Sequence, residues 1–82
     1  MTAGKRKPKR ADTDLQARKA KEPGYYGAGR GLWLQVSKSG AKSWLFRYTF
    51  QGRAREMGLG SYPEYGLEDA RESRDQWRRI LK

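Results

Sequence analysis

Apolar residues recur at every second position through two neighbouring stretches of this 82-residue chain, then switch to helical spacing, and that switch constrains the fold more than any other feature. Leu32, Leu34 and Val36 share one face of an extended strand, with Trp33 and Gln35 on the other. From Ser43 to Phe50, Trp44, Phe46, Tyr48 and Phe50 point one way and Leu45, Arg47 and Thr49 the other. Gln51-Gly52 is a tight hairpin signal. A third strand is expected over Arg53 to Leu59, with Met57 and Leu59 as its core-facing pair, while Gly58 and Gly60 mark a bulge or a close approach and leave its register open. Leu67, Ala70, Trp77 and Ile80 or Leu81 then recur at the period of a helix. Acids crowd its start (Glu64, Glu68, Asp69, Glu72) and bases its end (Arg78, Arg79, Lys82), a polarity that suits the helix dipole. Gly66 stands at the N-cap, where Ser or Asp is the stronger choice.

A small sheet needs cover on one face. The pattern therefore predicts an α+β fold, a three-stranded antiparallel β-sheet packed on one C-terminal α-helix behind a disordered basic N-terminus. The helix stripe packs on Leu32, Leu34, Val36, Trp44, Phe46, Tyr48, Met57 and Leu59. The opposite sheet face stays open, carrying Gln35, Arg47, Thr49 and one alternating set from the third strand. Residues 1–11 read as a disordered basic tail and residues 12–82 as one domain; Lys5-Arg-Lys-Pro-Lys-Arg10 has nothing to bury, and two roles stay open for it, a DNA-contacting arm or a solvated segment without function. Asp14 to Lys21 is expected to form a short helix capped by Asp12, Thr13 or Asp14. Pro23-Gly24 breaks the chain, and Tyr25-Tyr26 is expected to be a patch packed onto the body, leaving Trp33 and Leu45 covered by the N-terminal segment. The glycines at 27, 29 and 31 precede a strand, whereas nucleotide-binding glycine loops follow a strand and open a helix, so a phosphate loop is rejected. The last helix meets no Gly or Pro before Lys82, so the chain reads as a piece of a longer protein.

Enzymatic chemistry finds little support. The sequence has neither histidine nor cysteine, which removes the commonest general base, a thiolate nucleophile and the usual zinc ligands. The acids fall on the helix surface, at spacings such as Asp75 to Arg79 that give ordinary i,i+4 pairs. No cofactor, metal or small-molecule ligand is expected. No apolar run approaches a membrane span and no secretory leader is present at the start, so a soluble, cytoplasmic setting without a membrane partner is expected.

The charge points elsewhere. Nineteen Lys and Arg face nine Asp and Glu, a net +10. Residues 1–22 hold eight bases and three acids, and residues 23–82 hold eleven and six, so tail and body each carry +5. A basic body favours a polyanion, nucleic acid first. The DNA major groove admits a two-stranded ribbon and displays a distinct pattern for each base pair. Gln35, Arg47 and Thr49 on the open face are candidate readers, and Lys38, Lys42, Arg53 and Arg55 candidate clamps on flanking phosphates. Two roles stay open for Arg47: contact with DNA, or a cation stacked on a neighbouring tryptophan. Two other functions also stay open: an RNA or nonspecific nucleic-acid binder that stacks bases on aromatics, and a protein-interaction module using Trp33 and Leu45.

Four blocks carry a family resemblance: Gly31 to Val36, Gly40 to Tyr48, Leu59 to Pro63 and Leu67 to Arg71. In order and spacing they resemble the N-terminal arm-type DNA-binding domain of phage and genomic-island integrases of the tyrosine recombinase class, and the lead-in from Thr13 to Lys21 is similar too. The resemblance implies a three-stranded sheet on a C-terminal helix, with the open face in the major groove of arm-type duplex sites. It implies a non-catalytic module of a larger recombinase, whose catalytic tyrosine lies in a further domain, and partners among integrase subunits or an excision factor. Two departures are visible: Gly66 replaces the family's usual Ser cap, and the first eleven residues do not match.

Overall fold

Four antiparallel strands, not three, make up the sheet in the computed structural model, which describes residues 9–82. The elements run α1 (Asp14–Lys19), β1 (Gly24–Gly29), β2 (Leu32–Val36), β3 (Lys42–Phe50), β4 (Arg53–Tyr62) and α2 (Leu67–Ile80). The sheet is a simple meander in the order β1-β2-β3-β4. The added strand is β1. The segment around Tyr25-Tyr26, expected as a patch, pairs instead with β2, with Tyr25 opposite Gln35 and Tyr26 opposite Leu34. Tyr26 points into the core and Tyr25 to the open side. Lys9 to Ala11, expected within the disordered tail, run parallel to β1: the Ala11 amide donates to Gly27 O at 2.8 Å and the Gly27 amide to Lys9 O at 3.0 Å. Ala11 is fully buried, so the packed body takes in residues upstream of residue 12. The rest of the expected tail, residues 1–8, lies outside the described residues.

Turn chemistry sets the register. Gln51 and Gly52 both take positive φ (52° and 77°), as a two-residue type I′ hairpin requires. Pairing runs outward from that turn: Phe50 with Arg53, Thr49 with Ala54, Tyr48 with Arg55, Arg47 with Glu56, Phe46 with Met57. A bulge then falls between Trp44 and Leu45 on one strand and Gly60 and Gly58 on the other. It carries β4 past Leu59 to Tyr62, three residues beyond the expected end.

Both helices cover one side of the sheet. The core there is Tyr26, Ala28, Leu32, Leu34, Val36 and Trp44, closed by Ala11, Ala17, Ala20, Leu67 and Ala70, with Leu59 and Tyr62 packed against it. Trp44 is fully buried, and its indole N–H donates to Tyr65 O at 2.8 Å, so its one polar atom is satisfied. Of the three candidate caps for α1 it is Thr13 that serves, in a reciprocal capping box with Gln16, and the helix stops at Lys19, short of the expected Lys21. α2 lacks a capping side chain at Gly66, but the Asp69 carboxylate accepts the Gly66 N–H at 3.1 Å.

The helix stripe differs from expectation at one place. Ile80 is largely uncovered and Trp77 only partly covered (38% exposed), and the third buried position of α2 is Arg74, 5% exposed. Arg74 Nη1 donates to Gly29 O at 2.9 Å and its Nε to Asp75 at 2.8 Å. A long, polar-tipped side chain is tolerated there because its stem packs while its head finds acceptors. Arg71 makes a second tie, from Nη2 to Asp12 O at 2.8 Å.

Candidate nucleic-acid interface

The side of the sheet away from the helices is bare, and the register decides what it carries. From β1 to β4 it presents Tyr25 and Gly27, then Trp33 and Gln35, then Ser43, Leu45, Arg47 and Thr49, then Ala54, Glu56 and Gly58. The three expected readers, Gln35, Arg47 and Thr49, therefore do share this face. The expected clamps are placed differently. Lys38 projects from the β2–β3 turn at one end of the sheet. Arg53 and Arg55 pair with Phe50 and Tyr48, so they lie on the helix side of the β3–β4 hairpin, beyond the reach of helix cover.

Lys42 is also on the helix side, opposite Val36, and it is already engaged. Its Nζ donates to Ala17 O at 2.8 Å and Arg18 O at 2.9 Å, and sits 5.3 Å from the Tyr62 ring centroid. Those carbonyls are end groups of α1, where a cation is favoured. An ammonium committed to them is poorly placed to reach a phosphate on the opposite face.

At the heart of the open face is Arg47. Its guanidinium carbon is 5.1 Å from the Tyr25 ring centroid and 5.4 Å from that of Trp33, and its Nε donates to Glu56 Oε2 at 3.1 Å. Stacking and exposure thus coexist: the side chain rests on both rings yet remains about half exposed (48%). The position follows from the fold, since Arg47 is anchored on an inner strand whose amide donates to Gly31 O at 2.8 Å. Gly31, at φ 85°, is required there, because a Cβ would stand 2.6 Å from Arg47 O.

A second cation reaches the face from outside the sheet. Arg10 lies against Gly27, where a Cβ would meet its Nη1 at 2.9 Å and Trp33 at 3.6 Å. Arg10 is held by a two-pronged pair to Asp12, at 2.9 and 2.8 Å. That hydrogen bond is the main reason the Asp12 carboxyl sits below its usual range; burial opposes it, and the charges of Arg10 and Arg71 add to it. Of the N-terminal segment expected to cover Trp33 and Leu45, Arg10 reaches Gly27, the residue paired with Trp33.

Sequence reasoning missed Tyr25, Glu56 and Arg30 as members or neighbours of this surface, and offered Arg10 only as the end of a possible DNA-contacting arm. Glu56 was reachable, because counting outward from a two-residue Gln51-Gly52 turn places 56 opposite 47. Arg30, exposed at the tip of the β1–β2 turn, adds a cation at the same end of the sheet as Arg53. Among the described residues no group of His, Cys, Asp and Glu is arranged to hold a metal ion, and no helix is long and apolar enough to cross a membrane.

Comparison with known families matches residues 11–82 to the arm DNA-binding domain. The chain belongs to that family. The match takes in α1, the whole sheet and α2, so the bare face and Arg47 belong to a DNA-binding module. Among characterised proteins it is 37% identical over 73 residues to Prophage integrase IntA of Escherichia coli K12, covering 85% of this chain and 18% of that protein. It is 39% identical over 59 residues to the Integrase of Shigella phage Sf6, covering 71% and 15%. It is 42% identical over 50 residues to Putative protein IntB of E. coli K12, covering 61% and 13%. The matched stretch thus spans less than a fifth of each of these relatives.

Proposed function

We propose that the bare sheet face docks in the major groove of arm-type duplex DNA and so positions a tyrosine recombinase for integration and excision. The observation that carries this is the placement of Arg47, half exposed on an inner strand of an uncovered sheet in a DNA-binding module. Tyr25, Trp33, Gln35 and Thr49 share the face and supply flat and hydrogen-bonding contacts to base edges. Lys38 at one end of the sheet and Arg30 at the other meet the flanking phosphates, while Arg53 and Arg55 leave the β3–β4 hairpin on the helix side, away from the docked face. The similarity to proteins named integrase supports the recombinase setting, with the chemistry of recombination in the larger part of such a protein.

Stacking of single-stranded bases on Tyr25 and Trp33 is disfavoured, because the Arg47 guanidinium already rests against both rings. The test is an NMR titration with duplex and single-stranded DNA at fixed salt. Docking predicts that amide shifts concentrate on residues 25–35, 43–49 and 54–58 with duplex, and that α1 and the outer side of α2 stay still. Contact with roughly four phosphates gives a log–log salt slope of about −3.6 on duplex DNA. Shifts confined to the helices, or a stronger response to single strands, would sink the proposal.

A further inference from the structure

We infer that Arg47 reads a guanine, and that Glu56, Tyr25 and Trp33 are the positioning residues that aim it. The inference rests on the docking mode above and adds to it the identity of one base and the device that selects it.

The geometry starts with the hydrogen bonds already made. Among the described residues, Glu56 is the one acceptor for the Arg47 side chain, and it takes Nε. Both terminal nitrogens are left to donate. A guanidinium carries only donors, so its full complement is an object with two adjacent acceptors. In the major groove guanine offers O6 and N7 together; adenine pairs its acceptor with a donor, and thymine offers one oxygen beside a methyl group. A phosphate also has two acceptors, but phosphates line the groove rim, whereas Arg47 stands on β3 with β1 and β2 to one side and β4 to the other.

The surroundings limit where the fork points. Rings at 5.1 and 5.4 Å bound the guanidinium on the β1–β2 side, and the Glu56 carboxylate fixes it from β4. A long side chain held this way loses less rotamer freedom on binding than a free one. The acid has a second consequence. A carboxylate on a surface that meets DNA repels phosphates, so Glu56 weakens docking on any sequence, and it is offset only where Arg47 finds a good acceptor pair. An acid directly opposite the central arginine thus favours selectivity over affinity.

The experiment is selection from a pool of duplexes randomised over about one helical turn, using the 82-residue chain and its Arg47→Ala, Arg47→Lys, Glu56→Gln and Glu56→Ala variants. Each variant is first checked for an unchanged thermal transition and amide spectrum. The parent chain should enrich a guanine at one position, with a preference of about five- to 150-fold over other bases. Arg47→Lys, which keeps the charge, should lose that preference. Glu56→Ala should blunt it while the affinity for the unselected pool holds or rises, and Glu56→Gln, which keeps an oxygen acceptor, should retain more of it. If Arg47→Ala weakens every sequence equally and lowers the salt slope by about one, Arg47 meets a phosphate and the inference falls. If Glu56→Ala leaves the preference untouched, its positioning role falls. Failure of the docking mode is separate and recognisable: the parent pool then shows no enrichment, and duplex shifts no amide on the sheet.

Discussion

Arg74 of α2 donates to the carbonyl of Gly29, 2.9 Å away at the end of β1. Two residues further on, Gly31 O accepts the Arg47 amide at 2.8 Å. The helix therefore holds the turn, and the turn holds the strand that carries the central arginine. Arg74→Met keeps most of the stem volume but removes the guanidinium donors to Gly29 O and Asp75. Hydrogen bonds made by a charged group contribute about 1.5–3 kcal/mol. Urea denaturation should show a loss of that size, with faster hydrogen exchange at the Arg47 amide. Unchanged exchange there would mean that the turn is held by other contacts.

Lys42 supplies the clearest separation between fold and binding. Its ammonium sits on two α1 carbonyls and beside the Tyr62 ring, on the helix side. Lys42→Met should lower stability by about 1–2 kcal/mol through the lost charged hydrogen bonds, yet leave the salt slope of duplex binding as it was. Lys38→Met, in the exposed β2–β3 turn, should do the reverse: stability within about 0.5 kcal/mol of the parent and a slope reduced by about one. Titration of duplex affinity against salt checks both.

The alternation of β2 and β3 made the sheet, its core side and the trio Gln35, Arg47 and Thr49 legible, because each strand carries large side chains that mark one face. β1 was not legible. Its Gly-Tyr-Tyr-Gly-Ala-Gly run has three glycines and an alanine, so only Tyr26 marks the buried side strongly. The end of β4 was hidden for the same reason, since Gly58 and Gly60 mark no face and the bulge shifts phase between them. Arg74 fits the helical stripe by spacing, with Leu67 and Ala70, but a charged residue there reads as surface until the Gly29 carbonyl is seen to receive it. The clamps failed to gather with the readers because strand phase, not proximity in sequence, decides faces: Arg53 and Arg55 are odd-numbered like Arg47 but lie across a two-residue turn that inverts the parity.

Acid should weaken the fold through two carboxyls. Asp75 is held below its usual range mainly by the hydrogen bond from Arg74; burial opposes this, and the charges of Arg74, Arg30 and Arg79 add to it. Asp12 is lowered chiefly by Arg10. A carboxyl depressed in the folded state contributes stability above its unfolded pKa of about 3.9, and that stability is lost as pH falls through the folded value. Thermal stability should therefore be level in this respect from pH 7 down to about 5, and fall below about 4. Asp75→Asn should flatten part of the acid limb while changing little of its shape at neutral pH. An acid limb as steep as the parent's would assign the loss to other carboxyls.

Gly58 and Gly60 sit two residues apart in β4 and should respond oppositely to a single methyl group. A Cβ at Gly60, where φ is 156°, would stand 2.8 Å from Tyr65 Cγ and 2.9 Å from Cδ1. Tyr65 cannot simply retreat, because its carbonyl receives the indole N–H of the fully buried Trp44. Gly60→Ala should therefore cost about 1–3 kcal/mol, the usual range for overpacking. The cost should shrink on a Tyr65→Ala background, with a coupling of about 0.5–3 kcal/mol in the double-mutant cycle. Gly58 meets nothing within 4 Å and lies opposite Leu45 on the bare face. Gly58→Ala should leave stability within about 0.5 kcal/mol, while its methyl group intrudes on any ligand that docks there. Loss of duplex affinity in Gly58→Ala at parental stability would mark β4 as part of the contact surface; full affinity would place the contact nearer β1, β2 and β3.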